Sequence, residues 1–148
     1  MTRADALRAA AGPRLPRCLV SACLTGLCTR YDGGSRPSAE CRHLLHRYHW
    51  IPVCPEQLGG LPTPRTAADL VGGDGFAVLA GTARVIDRQG TDRTEQFLRG
   101  ARQVLAIARA QDIRLALLKA RSPSCGVRPR TGITAALLLQ NGIRCREF

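Results

Sequence analysis

Apolar residues fall along the chain in short runs, separated by glycine- and proline-rich breaks, and the period of the runs alternates. "RCLVSA", Arg17 to Ala22, is apolar, β-branched in part and closes on small residues, which predicts a buried strand. "WIPVC", Trp50 to Cys54, predicts a second strand in which Pro52 forgoes one ladder hydrogen bond. "IRLALLK", Ile113 to Lys119, predicts a third buried strand and "IRCREF" a fourth. Helical period appears between them. A short helix is expected from about Pro37 to Tyr48, with Pro37 tolerated in its first turn. The clearest is "DRTEQFLRGARQVLAIARAQD", where Phe97, Leu98, Ala101, Val104, Leu105 and Ala108 share a face, and Asp92 with Glu95 resembles a capping box. "GITAALLLQNG" predicts a last helix stopped at Asn141-Gly142. "ARVID" and "DRQG" suggest a minor strand and a turn. Residues 1–15 show no pattern that would bury a face and are expected to be a disordered extension. Pro55 to Gly75, with three prolines and five glycines, reads as a long irregular excursion of the kind that carries function.

Strands alternating with helices imply an α/β fold: a single compact domain over residues 16–148, with a mostly parallel, Rossmann-like sheet covered by helices on both faces. A chain of 148 residues can bury such a core without disulfides. The seven cysteines are odd in number and follow no apolar signal-like core, which points to a reducing cytoplasm rather than a disulfide framework. No apolar run is long enough to span a bilayer, so a membrane partner is not expected. The formal charge of +11 suggests an anionic partner such as a nucleotide or RNA. Lys119 is the only lysine, however, and a GC-rich coding sequence would produce the same arginine excess. Aromatic residues are too few for a base-stacking platform.

Placing the cysteines on this scheme narrows the chemistry. Cys23 directly follows the first strand, Cys54 closes the second, and Cys125 lies in the loop after the third. Loops at the carboxyl ends of parallel strands converge on one crevice, so three thiols distant in sequence are expected to meet there. Cys18, Cys28, Cys41 and Cys145 read instead as small apolar residues. Three thiolates without a fourth suit a zinc ion with an open position or an iron–sulfur cluster with one iron free of protein ligands. No C-x-x-C pair supports a zinc knuckle or a thioredoxin-like motif.

"VSACLTGLCTRYDGGS", "IPVCPEQLGGLPTPR", "VGGDG", "TEQFLRGA", "LLKARSPSCG" and "GITAALLLQNGI" resemble, in order, the signature blocks of the bacterial thiouracil desulfidase family, long catalogued as a domain of unknown function. The resemblance runs from about Cys18 to Ile143. It implies a [4Fe-4S] cluster with three cysteine ligands, Cys23, Cys54 and Cys125, and one open iron that takes the sulfur of a thiolated pyrimidine. The implied substrate is a small thiolated pyrimidine, left open among free base, nucleoside, thionucleotide and tRNA, and no obligate protein partner is inferred. Only "VRPRT" separates the "SPSCG" block from the last helix, where relatives carry a longer segment. Glu56, two residues beyond a proposed ligand, is the candidate base for an attacking water, with pairing to Arg65 as its structural alternative. Ser122 resembles a family active-site serine, and its alternative is a Ser-Pro turn former. Arg30, Tyr31 and Asp32 are candidates for contacting the pyrimidine or for locking their turn. Ser21 and Ser124 flank proposed ligands and are candidates for hydrogen bonding to cluster sulfurs. Two other functions fit the residues: an iron-free thiol or persulfide carrier built on Cys125, and a non-catalytic nucleotide- or RNA-binding module.

Overall fold

The computed structural model describes residues 1–10 and 14–148. Its centre is a four-stranded sheet in the order β2-β1-β5-β6. The strands are β1 (Arg17–Ser21), β2 (His49–Val53), β5 (Leu115–Leu118) and β6 (Arg144–Glu147), and every pair is parallel. β1 pairs on both sides, and Cys18, Leu19 and Val20 are accordingly fully buried, as an unbroken apolar run in a central parallel strand should be. Pro52 lies on β2, an edge strand, where a missing N–H is tolerated.

Each parallel step needs a crossover, and the helices supply it. On one face, Leu19, Ala116 and Leu118 pack with Val104, Leu105 and Ala108 of α5 (Thr94–Ala110) and with Ala135 and Leu138 of α6 (Ile133–Gln140). On the other, Cys18, Val20 and Leu117 pack with Cys41 and Leu45 of α2 (Ala39–Leu45). The expected α/β fold with helices on both faces is thus present. Ser38 caps α2, its side chain accepting from Cys41 N–H at 3.1 Å, so this helix is shorter at both ends than its pattern suggested.

The stretch from Pro55 to Gly75 is more ordered than expected. It holds α3 (Pro55–Leu58), β3 (Ala68–Val71) and the start of α4 (Gly75–Leu79). Pro55 at the first helical position of α3 presets its backbone angle. β3 exists because it pairs antiparallel with β4 (Arg84–Asp87), the minor strand expected at "ARVID"; the pairing itself is not visible in local pattern. Leu70, Val78, Val85, Phe97, Ala101 and Ile133 fill a further cluster that seats this hairpin and α4 against α5 and α6. The capping box at α5 is not formed. Asp92 Oδ1 accepts from Thr94 N–H at 2.8 Å, while Glu95 faces Arg102 at 3.9 Å. Near the amino end, where a disordered stretch was expected, Arg3–Ala10 forms helix α1, its start closed by reciprocal bonds between Thr2 and Asp5. Its Leu7 is exposed. No helix among the described residues is long and apolar enough to cross a membrane.

Candidate functional site

At the carboxyl ends of β1, β2 and β5 lies a cavity of about 870 Å3 whose wall includes Cys23, Cys54 and Cys125. Each thiol is placed by the break that ends its strand. Cys23 sits in a single 3₁₀ turn, Ala22–Thr25, which Gly26 closes with a positive φ of 96°. Cys54 occupies the N-cap position of α3, and Cys125 lies in the turn after β5. That turn is fixed by Ser122, whose Oγ accepts from the N–H groups of Ser124 at 3.2 Å and Cys125 at 3.1 Å.

The Cys23 and Cys125 thiols are shifted from the ordinary cysteine range. Burial pushes the Cys23 thiol up; Arg30 and Lys119 counteract it, while Cys54 adds to it. Burial also raises Cys125 strongly, with contributions from Cys54, Cys23 and Glu56 opposed by a hydrogen bond from Ser21. Lys119, half-buried just past the end of β5, is held below the ordinary lysine range by desolvation, an effect the nearby Cys23 reduces. Among the described residues, no three His, Cys, Asp or Glu side chains converge tightly enough to hold one metal ion. Three thiols on the wall of one shared cavity are a soft donor set of the kind that holds an iron–sulfur cluster or zinc.

Ser21, Arg30, Tyr31, Glu56 and Ser122 also line the cavity. Asp32 and Ser124 do not. Asp32 Oδ1 accepts from Gly34 N–H at 2.9 Å and stands 3.9 Å from Arg30 Nε, so it locks the turn. Ser124 is buried behind the wall, where its hydroxyl donates to Glu56 Oε2 at 3.2 Å. Ser21 Oγ accepts from Lys119 N–H at 2.9 Å. Arg30 Nε is buried without a hydrogen-bond partner, and the Arg30 guanidinium lies 5.6 Å from the Tyr31 ring centroid.

Glu56 does pair with Arg65, Nε to Oε1 at 3.0 Å. Arg65 and Lys119 are the site residues that sequence reasoning passed over. Arg65 was visible only as a partner for Glu56, and Lys119 only as a lone lysine. The position of Lys119 at the carboxyl end of a predicted strand was the available signal.

A parallel α/β domain that brings three thiols and a fixed carboxylate from strand ends into one crevice defines a thiolate-centred enzyme. The chain belongs to the 2-thiouracil desulfurase family, whose model matches residues 18–147, and it is a desulfidase of that family. It is 40% identical over 138 aligned residues to the uncharacterized protein YbbK of Bacillus subtilis strain 168, covering 85% of this chain and 91% of that one. Among solved structures it resembles the [4Fe-4S]-dependent thiouracil desulfidase TudS, with a TM-score of 0.75 and 38% identity over 89% of this chain and 90% of that one.

Proposed function

We propose that this protein removes sulfur from a thiolated pyrimidine, a 2-thiouracil or thiouridine-type base, with a [4Fe-4S] cluster held by Cys23, Cys54 and Cys125. The observation that carries this reading is the meeting of these three thiols on one cavity wall with no fourth cysteine among its residues. Kinship with a [4Fe-4S]-dependent desulfidase supports it. When bound, such a cluster with one iron free of protein ligands supplies a soft Lewis acid for the thiocarbonyl sulfur.

The chain's own residues do the rest. Glu56 faces the cavity with Oε1 fixed by Arg65 and Oε2 by Ser124, so its carboxylate is aimed to take a proton from the water that attacks the ring carbon. Ser122 Oγ accepts two backbone N–H bonds, which leaves its own hydrogen to donate to the substrate. Arg30 brings an unpartnered buried Nε–H that suits a pyrimidine carbonyl, with Tyr31 beside it. Ser21 hydrogen-bonds the Cys125 sulfur, and Asp32 and Ser124 hold Arg30 and Glu56 in place. Seven free thiols suit a reducing cytoplasm, where we place the protein.

The test is anaerobic purification and reconstitution. The protein should be brown and bind about four irons per chain, and 2-thiouracil or a thiouridine nucleotide should lose its thiocarbonyl absorbance. A colourless protein whose three thiols all alkylate freely would refute the cluster. An iron-free carrier built on Cys125 needs a thiol that partners can reach, whereas Cys125 is buried.

A further inference from the structure

Arg65 makes more contacts at the site than pairing with Glu56 requires. Its side chain is only 5% exposed. Nε donates to Glu56 Oε1 at 3.0 Å, and Nη1 is anchored by Thr63 Oγ1 at 2.9 Å and the Pro62 carbonyl at 3.3 Å. Nη2 donates to the Thr29 carbonyl at 2.9 Å and stands 3.8 Å from Cys54 Sγ, within reach of a sulfur hydrogen bond. The Arg65 backbone N–H reaches the Tyr31 carbonyl at 2.7 Å. One planar fork therefore joins the loop after β1, the thiol at the end of β2 and the carboxylate of α3.

The details at Cys54 indicate what the fork is for. The protonated Cys54 thiol donates to the Thr29 carbonyl at 3.6 Å, and that carbonyl also receives Arg65 Nη2. When a metal replaces the thiol proton, which leaves to solvent, Thr29 keeps the arginine as donor and its carbonyl is not orphaned. The same guanidinium edge then faces a sulfur bearing negative charge. Glu56 offsets the arginine's charge at Nε, so the cation whose Nη2 stands by the sulfur is one half of an ion pair.

We infer that Arg65 is a positioning residue that hydrogen-bonds the Cys54 sulfur and sets the reduction potential of the bound cluster while it aims Glu56. This inference rests on the reading of Cys54 as a cluster ligand. A cation and an N–H donor at a ligand sulfur stabilise the more negative, reduced cluster and raise its potential. Lysine keeps the charge but cannot span Cys54, Thr29 and Glu56 together.

The experiment compares wild type, Arg65→Gln, Arg65→Lys and Glu56→Gln after anaerobic reconstitution, with iron content, redox titration and steady-state kinetics as readouts. Arg65→Gln should load iron and shift the midpoint potential downward. Its kcat should fall about 10- to 100-fold, with KM nearly unchanged. Arg65→Lys should restore most of the potential but only part of kcat. Glu56→Gln, which frees the arginine of its carboxylate, should shift the potential upward. An iron-loaded Arg65→Gln protein at the wild-type potential would overturn the inference. If Arg65→Gln fails to load, Glu56→Gln decides, and an unchanged potential there overturns it. A wild-type protein that takes up no iron would instead defeat the cluster reading itself.

Discussion

Cys54 stands where the chain turns from strand to helix, with its sulfur on the cavity wall beside Thr29 and Arg65. Cys54→Ala should therefore leave the far-ultraviolet circular dichroism unchanged, lower the iron bound per chain and abolish thiouracil turnover. Iron analysis beside the spectrum checks this, and full iron in the variant would contradict it. Ser122 serves the turn as well as the proposed chemistry. Ser122→Ala leaves the N–H groups of Ser124 and Cys125 without their acceptor, an expected loss of about 1–3 kcal/mol in a denaturant melt, together with slower turnover. Much of this was legible in the sequence. Cys23, Cys54 and Cys125 could be found because each follows an apolar run, and a parallel sheet sends such positions to one crevice. Arg65 could not, because its contacts lie on segments that only the folded chain brings near it. Asp32 and Ser124 were singled out by adjacency to the site in sequence. Asp32 takes its turn-locking alternative, and Ser124 bonds Glu56 from behind the wall.

α3 is a single short turn, yet it carries Glu56 and follows Cys54 directly, so whatever seats α3 seats the site. The seat is a crossing of α3 on α5 at two glycines. A Cβ on Gly100 would run into the Pro55 carbonyl, and one on Gly59 into the Gln96 carbonyl. Gln103 Nε2 also donates to the Leu58 carbonyl. Gly100→Ala should destabilise the fold by about 1–3 kcal/mol through overpacking, and it should lower iron retention even though it touches no proposed ligand. Thermal melts and iron counts on the same sample test both. A second element-level device is the turn from β4 into α5. Asp87 there accepts from the backbone of Thr91 and Gln89 and from Arg93. The Thr91 bond foremost holds its carboxyl below the ordinary value. A lowered folded-state pKa means the stabilisation is complete above the unfolded value of about 3.9 and is lost as pH falls through the lower folded one. Acid unfolding should begin at higher pH in Thr91→Pro, which deletes that N–H, than in wild type. The strongly periodic elements β1, β5, α5 and α6 were readable. α3, β3 and α4 were not, because pairing with β4 and packing on α5 and α6 stabilise what local propensity leaves undecided.

For the whole molecule, the net charge of +11 means that an anionic substrate approaches down a favourable field while a neutral base does not. The kcat/KM for a thiouridine nucleotide should fall as salt rises and the screening length shrinks to about 8 Å at physiological strength, whereas that for uncharged 2-thiouracil should stay flat. Parallel salt series on the two substrates measure this, and identical slopes would assign the arginines to solubility alone. The order of the sheet has a different consequence. β1 is central, β2 lies on one side of it and β5 on the other, and the three thiols follow those three strands. During synthesis Cys23 and Cys54 emerge while β5 is still unmade, so on the proposed ligand set only two of the three thiols are present until the late strand docks beside β1. Maturation would thus be ordered by topology. Iron delivered before the sheet closes would find two thiols and no cavity, and a cluster would be taken up by a chain that has already folded.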